Sequence, residues 1–321
     1  MTAPTIQEDE QPATSSTTIK YRVVALDLDG TLLTSNHCLS ETTIQGLRKL
    51  HEQGLKIVFA TGRAISTVYE HIVALGLPTA LPVVCSNGAA AFVCRVDPTA
   101  PNGVHAEALF STTVPANVAS TTIQLALEHN HVSQYYVHNK IYAHPSTPTH
   151  FELTEEYKRL TGSETIYLKP EEFEENMLAM GCPTKQLVLF PVAEQEVILD
   201  VFRNTLQRPD LLVDNIPATL VRGSLGWFLE VLHPHVHKGA GLHRLCREHL
   251  HVPLEQVVAF GDGDNDLEFL QMAGRGIVMK NGRSVVKEIG DQITEYTNDE
   301  DGVLRTLHDM DKKGLLIKAM E

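Results

Sequence analysis

Apolar residues follow two rhythms along this chain. Val23-Val24-Ala25-Leu26 is an unbroken apolar run that ends in Asp27-Leu28-Asp29-Gly30-Thr31, and Leu55-Lys56-Ile57-Val58-Phe59-Ala60 ends in Thr61-Gly62-Arg63. Short runs of this kind, rich in β-branched residues and closed by turn formers, predict strands. Between them Ile44, Leu47 and Leu50 stand at helical spacing, with Ser40 and Glu41 as start signals and Gly54 as the stop, so an amphipathic helix is predicted over 40–53. A second helical pattern runs to Leu75, and Leu81-Pro82-Val83-Val84-Cys85 forms a third strand that closes on Ser86-Asn87-Gly88. Alternating strands and helices predict a parallel sheet with crossover helices.

The rhythm then changes. Between 89 and 232 the pattern gives paired strands, such as 132–137 with 140–143, helices near 114–129, 148–160 and 193–207, and closing strands at Leu211 to Val213, Ala218 to Val221 and Gly226 to Leu232. The parallel rhythm returns with a helix from Lys238 to about Leu250, the strand Val257-Val258-Ala259-Phe260, and a helix opening after Gly261-Asp262-Gly263-Asp264-Asn265-Asp266. The expected fold is therefore α/β: a Rossmann-like, doubly wound parallel-sheet core (20–88 and 233–321) interrupted by an inserted α/β domain (89–232). Residues 1–19, rich in Ser, Thr, Pro, Glu and Gln, read as a disordered tail with neither a signal nor a transit peptide.

Composition narrows the partners. A chain of 321 residues, 43% hydrophobic and 21% charged, has the length for two domains and enough apolar material to fill both cores. Its 26 basic and 40 acidic residues leave a formal charge of −14, which opposes binding to nucleic acid. Apolar runs fall short of the roughly 18 residues that a membrane span needs. The five cysteines are scattered without a paired motif, which suggests reduced thiols and a cytoplasmic, soluble protein, monomeric or homodimeric.

The ends of the strands carry the chemistry. In an open parallel sheet, ligands bind beyond the carboxyl ends of the strands, so Asp27/Asp29, Thr61, Ser86-Asn87-Gly88 and Asp262/Asn265/Asp266 are expected to converge, with Lys238 opening a helix nearby. Clustered carboxylates repel by about 4 kcal/mol per close pair at an effective dielectric near 20. A hard divalent cation relieves this, and Mg²⁺ suits a site with few carboxylates and a phosphate oxygen. A calcium loop of the EF-hand type fails: counted from Asp262, its sixth position is Leu267 where Gly is required and its twelfth is Ala273 where Glu is required.

The ordered set DLDGT, ATGR, HKGAGL and GDGDND resembles the four motifs of the haloacid dehalogenase superfamily. SNGA before the insertion and the late TNDEDGV resemble its Cof-type phosphatases, whose larger α/β insertion is a cap. The resemblance spans nearly all of residues 21–303. It implies Asp27 as the nucleophile that forms an aspartyl-phosphate and Asp29 as the general acid and base. It implies Mg²⁺ held by Asp27, the main-chain carbonyl of Asp29 and Asp262, with Asp266 supporting through hydrogen bonds or water. Phosphate contacts would come from Thr61, Asn265, Lys238 and the N–H groups of Leu28 and Gly62. The expected activity is hydrolysis of small phosphomonoesters such as sugar phosphates or phosphorylated cofactors, with the cap setting specificity. Phosphotransfer to a second hydroxyl, or a catalytically idle ligand sensor on the same fold, are the alternatives.

Duller readings exist beside these. Thr61 and Asp266 have the makings of helix caps, and Lys238 those of a solvated helix start. His233, His235 and His237 alternate like a metal clamp but lack a completing ligand. Lys280 stands where Cof-type relatives tend to have Gly, and Gly282 where they tend to have Ala. Phe92, Tyr135, Tyr136, Tyr142 and Trp227 are expected mainly to pack the cap core.

Overall fold

The computed structural model describes residues 20–223 and 225–317, so the tail expected at 1–19 lies outside the described residues. In chain order the first region contains β1 (Val23–Leu26), α1 (Glu41–Glu52), β2 (Lys56–Ala60), α2 (Tyr69–Leu75), β3 (Leu81–Cys85), β4 (Ala90–Val96) and β5 (Val104–Ser111). The middle region contains α3 (Ala116–Glu128), β6 (Val132–Val137), β7 (Lys140–Ala143), α4 (Pro148–Thr161), β8 (Thr165–Tyr167), α5 (Pro170–Met180), β9 (Lys185–Leu189), α6 (Gln195–Leu206), β10 (Thr219–Arg222) and β11 (Phe228–Leu232). The last contains α7 (Lys238–Leu245), β12 (Val257–Gly261), α8 (Leu267–Met272), β13 (Arg275–Val278), α9 (Ser284–Lys287), β14 (Gln292–Ile293) and α10 (Gly302–Lys312).

The first sheet has the order β14-β13-β12-β1-β2-β3-β4-β5. It is parallel from β14 to β3, and β4 and β5 add antiparallel strands at one edge. Strand alternation divides its two faces. Val24 and Leu26 enter one apolar layer with Leu47 of α1, Ile72 of α2 and Leu307 of α10, while Val23 and Ala25 enter another with Leu242 of α7 and Phe269 of α8. The α1 helix begins as its sequence predicts, because the Ser40 side chain accepts from the Thr43 N–H (3.0 Å).

The insertion has its own sheet, ordered β10-β11-β9-β6-β7-β8, antiparallel except between β7 and β8. One face packs Tyr135, Val188 and Phe190 with apolar residues of α3, α5 and α6. On the other face Tyr136, Ile141 and Leu187 pack with Tyr157 of α4 and with Ala64 of the first domain.

Three sequence expectations require correction. Residues 90–111, assigned to the insertion, form β4 and β5 on the first sheet, so that sheet extends well past the boundary expected at 89. Periodicity shows that a strand exists but not which sheet it joins; here the tight Ser86-Asn87-Gly88 turn folds β4 back onto β3. Phe92 consequently packs in the first domain. The strand expected at Leu211 to Val213 is a short 3₁₀ turn at Pro209–Leu211, followed by an isolated bridge from Val213 to Ile216.

Candidate active site

From β1 the chain passes to β2 and β3 on one side, whereas β12, β13 and β14 lie on the other. The switch point is therefore between β1 and β12, and Asp27 and Asp262 follow those two strands directly. Gly30 makes their approach possible. It adopts φ +76°, and a Cβ there would lie 2.4 Å from an Asp262 carboxylate oxygen. Thr31 Oγ1 donates to Asp262 Oδ1 (3.0 Å) across the same gap.

Lys238, at the start of α7, is buried beneath this pair. Its Nζ donates to Asp27 Oδ1 (2.5 Å) and Asp266 Oδ1 (2.7 Å). Asp266 Oδ2 accepts from the N–H groups of Asp262 (3.0 Å) and Gly263 (2.9 Å), so both of its oxygens are engaged in shaping the loop. Burial pushes the Asp27 carboxyl well up; Lys238 pulls it back while Asp266 and Asp262 add to the rise. Burial, then Asp266, pushes Asp262 up to about 6. Burial works against the Lys238 charge, but Asp266 and Asp27 more than offset it and hold the ammonium above its ordinary range.

Oxygens of Asp27, Asp262 and Asp266 lie within 4.8 Å of one another. Three carboxylates against one ammonium leave two negative charges uncompensated when all are ionised, which is the deficit a dication fills. With Asp266 occupied by its hydrogen bonds, Asp27 and Asp262 are the side chains suited to hold such an ion. An all-oxygen donor set fits Mg²⁺.

Asp29 is held differently. Arg63 grips it at both oxygens, Nε to Oδ2 (2.7 Å) and Nη2 to Oδ1 (2.6 Å), and His37 Nδ1 lies 3.2 Å from Oδ1. Burial acts to raise this carboxyl, but the Arg63 pair and His37 hold it below the usual range. Asn265 Nδ2 donates to Asn87 Oδ1 (2.9 Å). A cavity of about 270 Å³ opens above these groups, lined by Asp27, Asp29, Thr61, Gly62, Asp262 and Asn265 on one wall and by Tyr136, Ile141, Tyr157, Leu160 and Phe228 of the insertion on the other.

The structure thus brings together Asp27, Asp29, Thr61, Gly62, Lys238, Asp262, Asn265 and Asp266, whereas the Leu28 side chain is buried in the first apolar layer. The motifs alone do not reveal the roles of Arg63 and Asn87, although an Arg directly after Thr61-Gly62 is well placed for a carboxylate one strand away. Tyr136 lines the cavity as well as packing the insertion, and Trp227 packs against Phe228. The histidine triplet makes no metal group among the described residues: His237 Nδ1 caps α7 by accepting from Ala240, and His235 pairs with Asp214. Lys280 is exposed.

The profile of the haloacid dehalogenase-like hydrolases matches residues 24–307, and the chain belongs to that family. Within it, it is a phosphatase of the Cof type. The chain is 30% identical over 294 residues to the 5-amino-6-(5-phospho-D-ribitylamino)uracil phosphatase YitU of Bacillus subtilis, covering 90% of this chain and 97% of that protein. It is 26% identical over 284 residues to the HMP-PP phosphatase of Serratia proteamaculans, covering 85% and 89%. Its fold matches the HAD subclass IIB sugar phosphatase BT4131 with a TM-score of 0.70 at 20% identity, covering 92% of this chain and all of that one. Among the described residues no helix is long and apolar enough to cross a membrane.

Proposed function

We propose that this phosphatase hydrolyses small phosphomonoesters by two successive displacements, with Asp27 as the nucleophile and Mg²⁺ as the cation. The observation that supports this reading most is the placement of Asp27 at the switch point, buried between Lys238 and Asp262 and lining the cavity. A carboxylate nucleophile divides one difficult displacement into two, and Lys238 pulls Asp27 back toward the ionised form that burial opposes. When bound, Mg²⁺ offsets the charge of the carboxylates and polarises the phosphoryl oxygens.

The donors act on the three outer oxygens of the transferring group. The Thr61 hydroxyl accepts from the Arg63 N–H (3.1 Å), which leaves its own proton free to donate toward the phosphoryl group. The Leu28 and Gly62 N–H groups and the Asn265 amide complete the set. Asp29, ionised beside Arg63, is suited to take a proton from the attacking water in the second step. In the first step it must carry a proton to the leaving oxygen, against the pull of Arg63; the negative charge of the bound phosphoryl group shifts it in that direction.

A cavity of about 270 Å³ sits near the small end of ligand pockets, which typically begin at about 300 Å³, and suits a metabolite-sized leaving group rather than a folded protein. Tyr136, Tyr157 and Phe228 line it on the insertion side together with Lys185, Arg222 and Glu230. The two curated relatives, named for a phosphoribitylamino-uracil and for HMP-PP, point to small phosphorylated compounds as the substrates to try. A panel of metabolite phosphates should release inorganic phosphate with Mg²⁺ and no acceptor, and stop on chelation. Transfer to an added hydroxyl with no phosphate release would overturn hydrolysis in favour of phosphotransfer.

A further inference from the structure

Two opposite charges on the inserted domain are buried against the phosphate-binding loops. Lys185 of β9 and Glu230 of β11 expose 2% and 8% of their side chains and pair at 2.9 Å. Each also reaches across to the first domain. Lys185 Nζ donates to the Gly62 carbonyl (2.9 Å), and Glu230 Oε2 accepts from Asn87 Nδ2 (2.6 Å). Burying two ions is costly unless every lone pair and proton is used well, so a docking contact alone is poorly served by such a pair.

Their chemistry has a direction that apolar residues lack. A carboxylate only accepts and an ammonium only donates. Because Glu230 accepts from Asn87 Nδ2, the Asn87 amide must turn its oxygen toward Asn265, which then has to offer Nδ2 and not Oδ1. One Nδ2 proton of Asn265 satisfies Asn87, leaving the second available at the phosphoryl site. On the other arm, Lys185 holds the Gly62 carbonyl, so the N–H on the same peptide, that of Arg63, points to Thr61 Oγ1 and commits the hydroxyl proton outward. The turn that carries Asn87 is backbone-restricted as well: Ser86 and Asn87 both lie in the left-handed region, at φ +50° and +54°, and the Asn87 N–H donates to the Thr61 carbonyl (3.1 Å).

We infer that Lys185 and Glu230 are positioning residues of the inserted domain that fix the hydrogen-bond polarity of Thr61 and Asn265. When the insertion sits over the cavity, the ion pair makes both groups donors toward the phosphoryl oxygens; when it lifts, water replaces the pair and the amides lose that constraint. This rests on the proposal that phosphoryl transfer occurs at Asp27.

The test uses the full chain with the best substrate of the panel. E230Q and K185M should each lower kcat about 10- to 100-fold while KM moves less than threefold, because alignment matters most when charge develops in the transition state. The exchanged pair K185E/E230K keeps the ion pair but sets a donor against Asn87 and an acceptor against the Gly62 carbonyl, so it should remain as slow as the single variants. A docking role alone would let the exchange restore kcat to within threefold of wild type, and that result overturns the inference. Should the exchanged protein not fold, E230Q and N87A decide: acting along one chain, their losses should combine to less than their product, and a full product contradicts the inference. D27N run in parallel separates the two ideas. Turnover surviving D27N defeats the phosphoryl-transfer proposal itself, whereas a dead D27N beside a fully active E230Q defeats only the role given to the pair.

Discussion

The two domains bury charge in opposite ways. Under the cavity, Asp27, Asp262 and Asp266 face a single ammonium, Lys238; burial and both neighbouring carboxylates push Asp27 up, and burial with Asp266 pushes Asp262 up. Above it, Lys185 and Glu230 balance one to one, each with a further partner on the first domain. An unbalanced buried set implies that something charged completes it, and in the proposed mechanism a dication and a phosphoryl group would complement the carboxylates and the donors. A balanced set has no such vacancy for charge; its value lies in geometry.

The largest effect should come from the unbalanced set. Asp27→Asn should cut phosphate release by roughly 10⁴-fold or more, since it removes the proposed nucleophile. The same change relieves a repelled, buried carboxylate, so the melting temperature should hold or rise in a metal-free thermal scan. A fall of several degrees would break the view that Asp27 is held at a cost for function.

Next in size, Lys238→Met leaves Asp27 and Asp266 without their cation. Breaking a buried pair costs about 3–5 kcal/mol, and the rate should fall by roughly two to three orders of magnitude. The comparison sharpens on adding Mg²⁺: calorimetry should show part of that stability recovered for Lys238→Met and none for Lys185→Met, whose loss is not at the carboxylate cluster.

Arg63→Lys replaces a two-point grip with a single contact and should slow turnover roughly 10- to 100-fold. Arg63 holds Asp29 low, so weakening the grip raises its folded value. The limb of the kcat/KM profile governed by Asp29 should therefore move to higher pH. An unmoved limb would remove Asp29 from the proton transfers.

The smallest effect belongs to the inserted domain alone. His144 Nε2 accepts from the Ser133 N–H (2.9 Å) in its core, and burial lowers the ring to about 4. Unfolded, the ring protonates near 6.5, so between roughly 6.5 and 4 the unfolded chain binds a proton that the folded one refuses. Stability is unaffected above that window and falls through it by about 3 kcal/mol at most. His144→Gln should flatten this part of the stability profile in urea titrations at a series of pH values, with activity near neutrality changed less than about twofold.

The same contrast explains what was legible in the sequence. Asp27, Thr61, Lys238 and Asp262 could be grouped because topology forces the ends of parallel strands together, and the chemistry at each end was visible in its own short motif. Pairing partners were not visible in this way. The strands at 90–111 show a strand pattern, but only the turn at Asn87 decides that they extend the first sheet. Arg63 and Asn87 were visible as letters within motifs; their partners, Asp29 and Glu230, lie 34 and 143 residues away. Glu230 and Lys185 left the faintest signal, a lone acid in Phe-Leu-Glu-Val-Leu and a lone base opening Lys-Gln-Leu-Val-Leu. A charge inside an apolar strand asks for a buried partner, but pairing these two requires knowing that β9 and β11 are neighbours.

The central claim is a covalent phosphoryl group on Asp27. Quenching the enzyme during turnover of a phosphomonoester, reducing the trapped acyl phosphate with tritiated borohydride and sequencing the tritium-labelled peptide tests it directly. The account predicts homoserine at position 27 and an unmodified Asp29. Reduction at any other carboxylate, or inversion at phosphorus showing a single displacement by water, would contradict it.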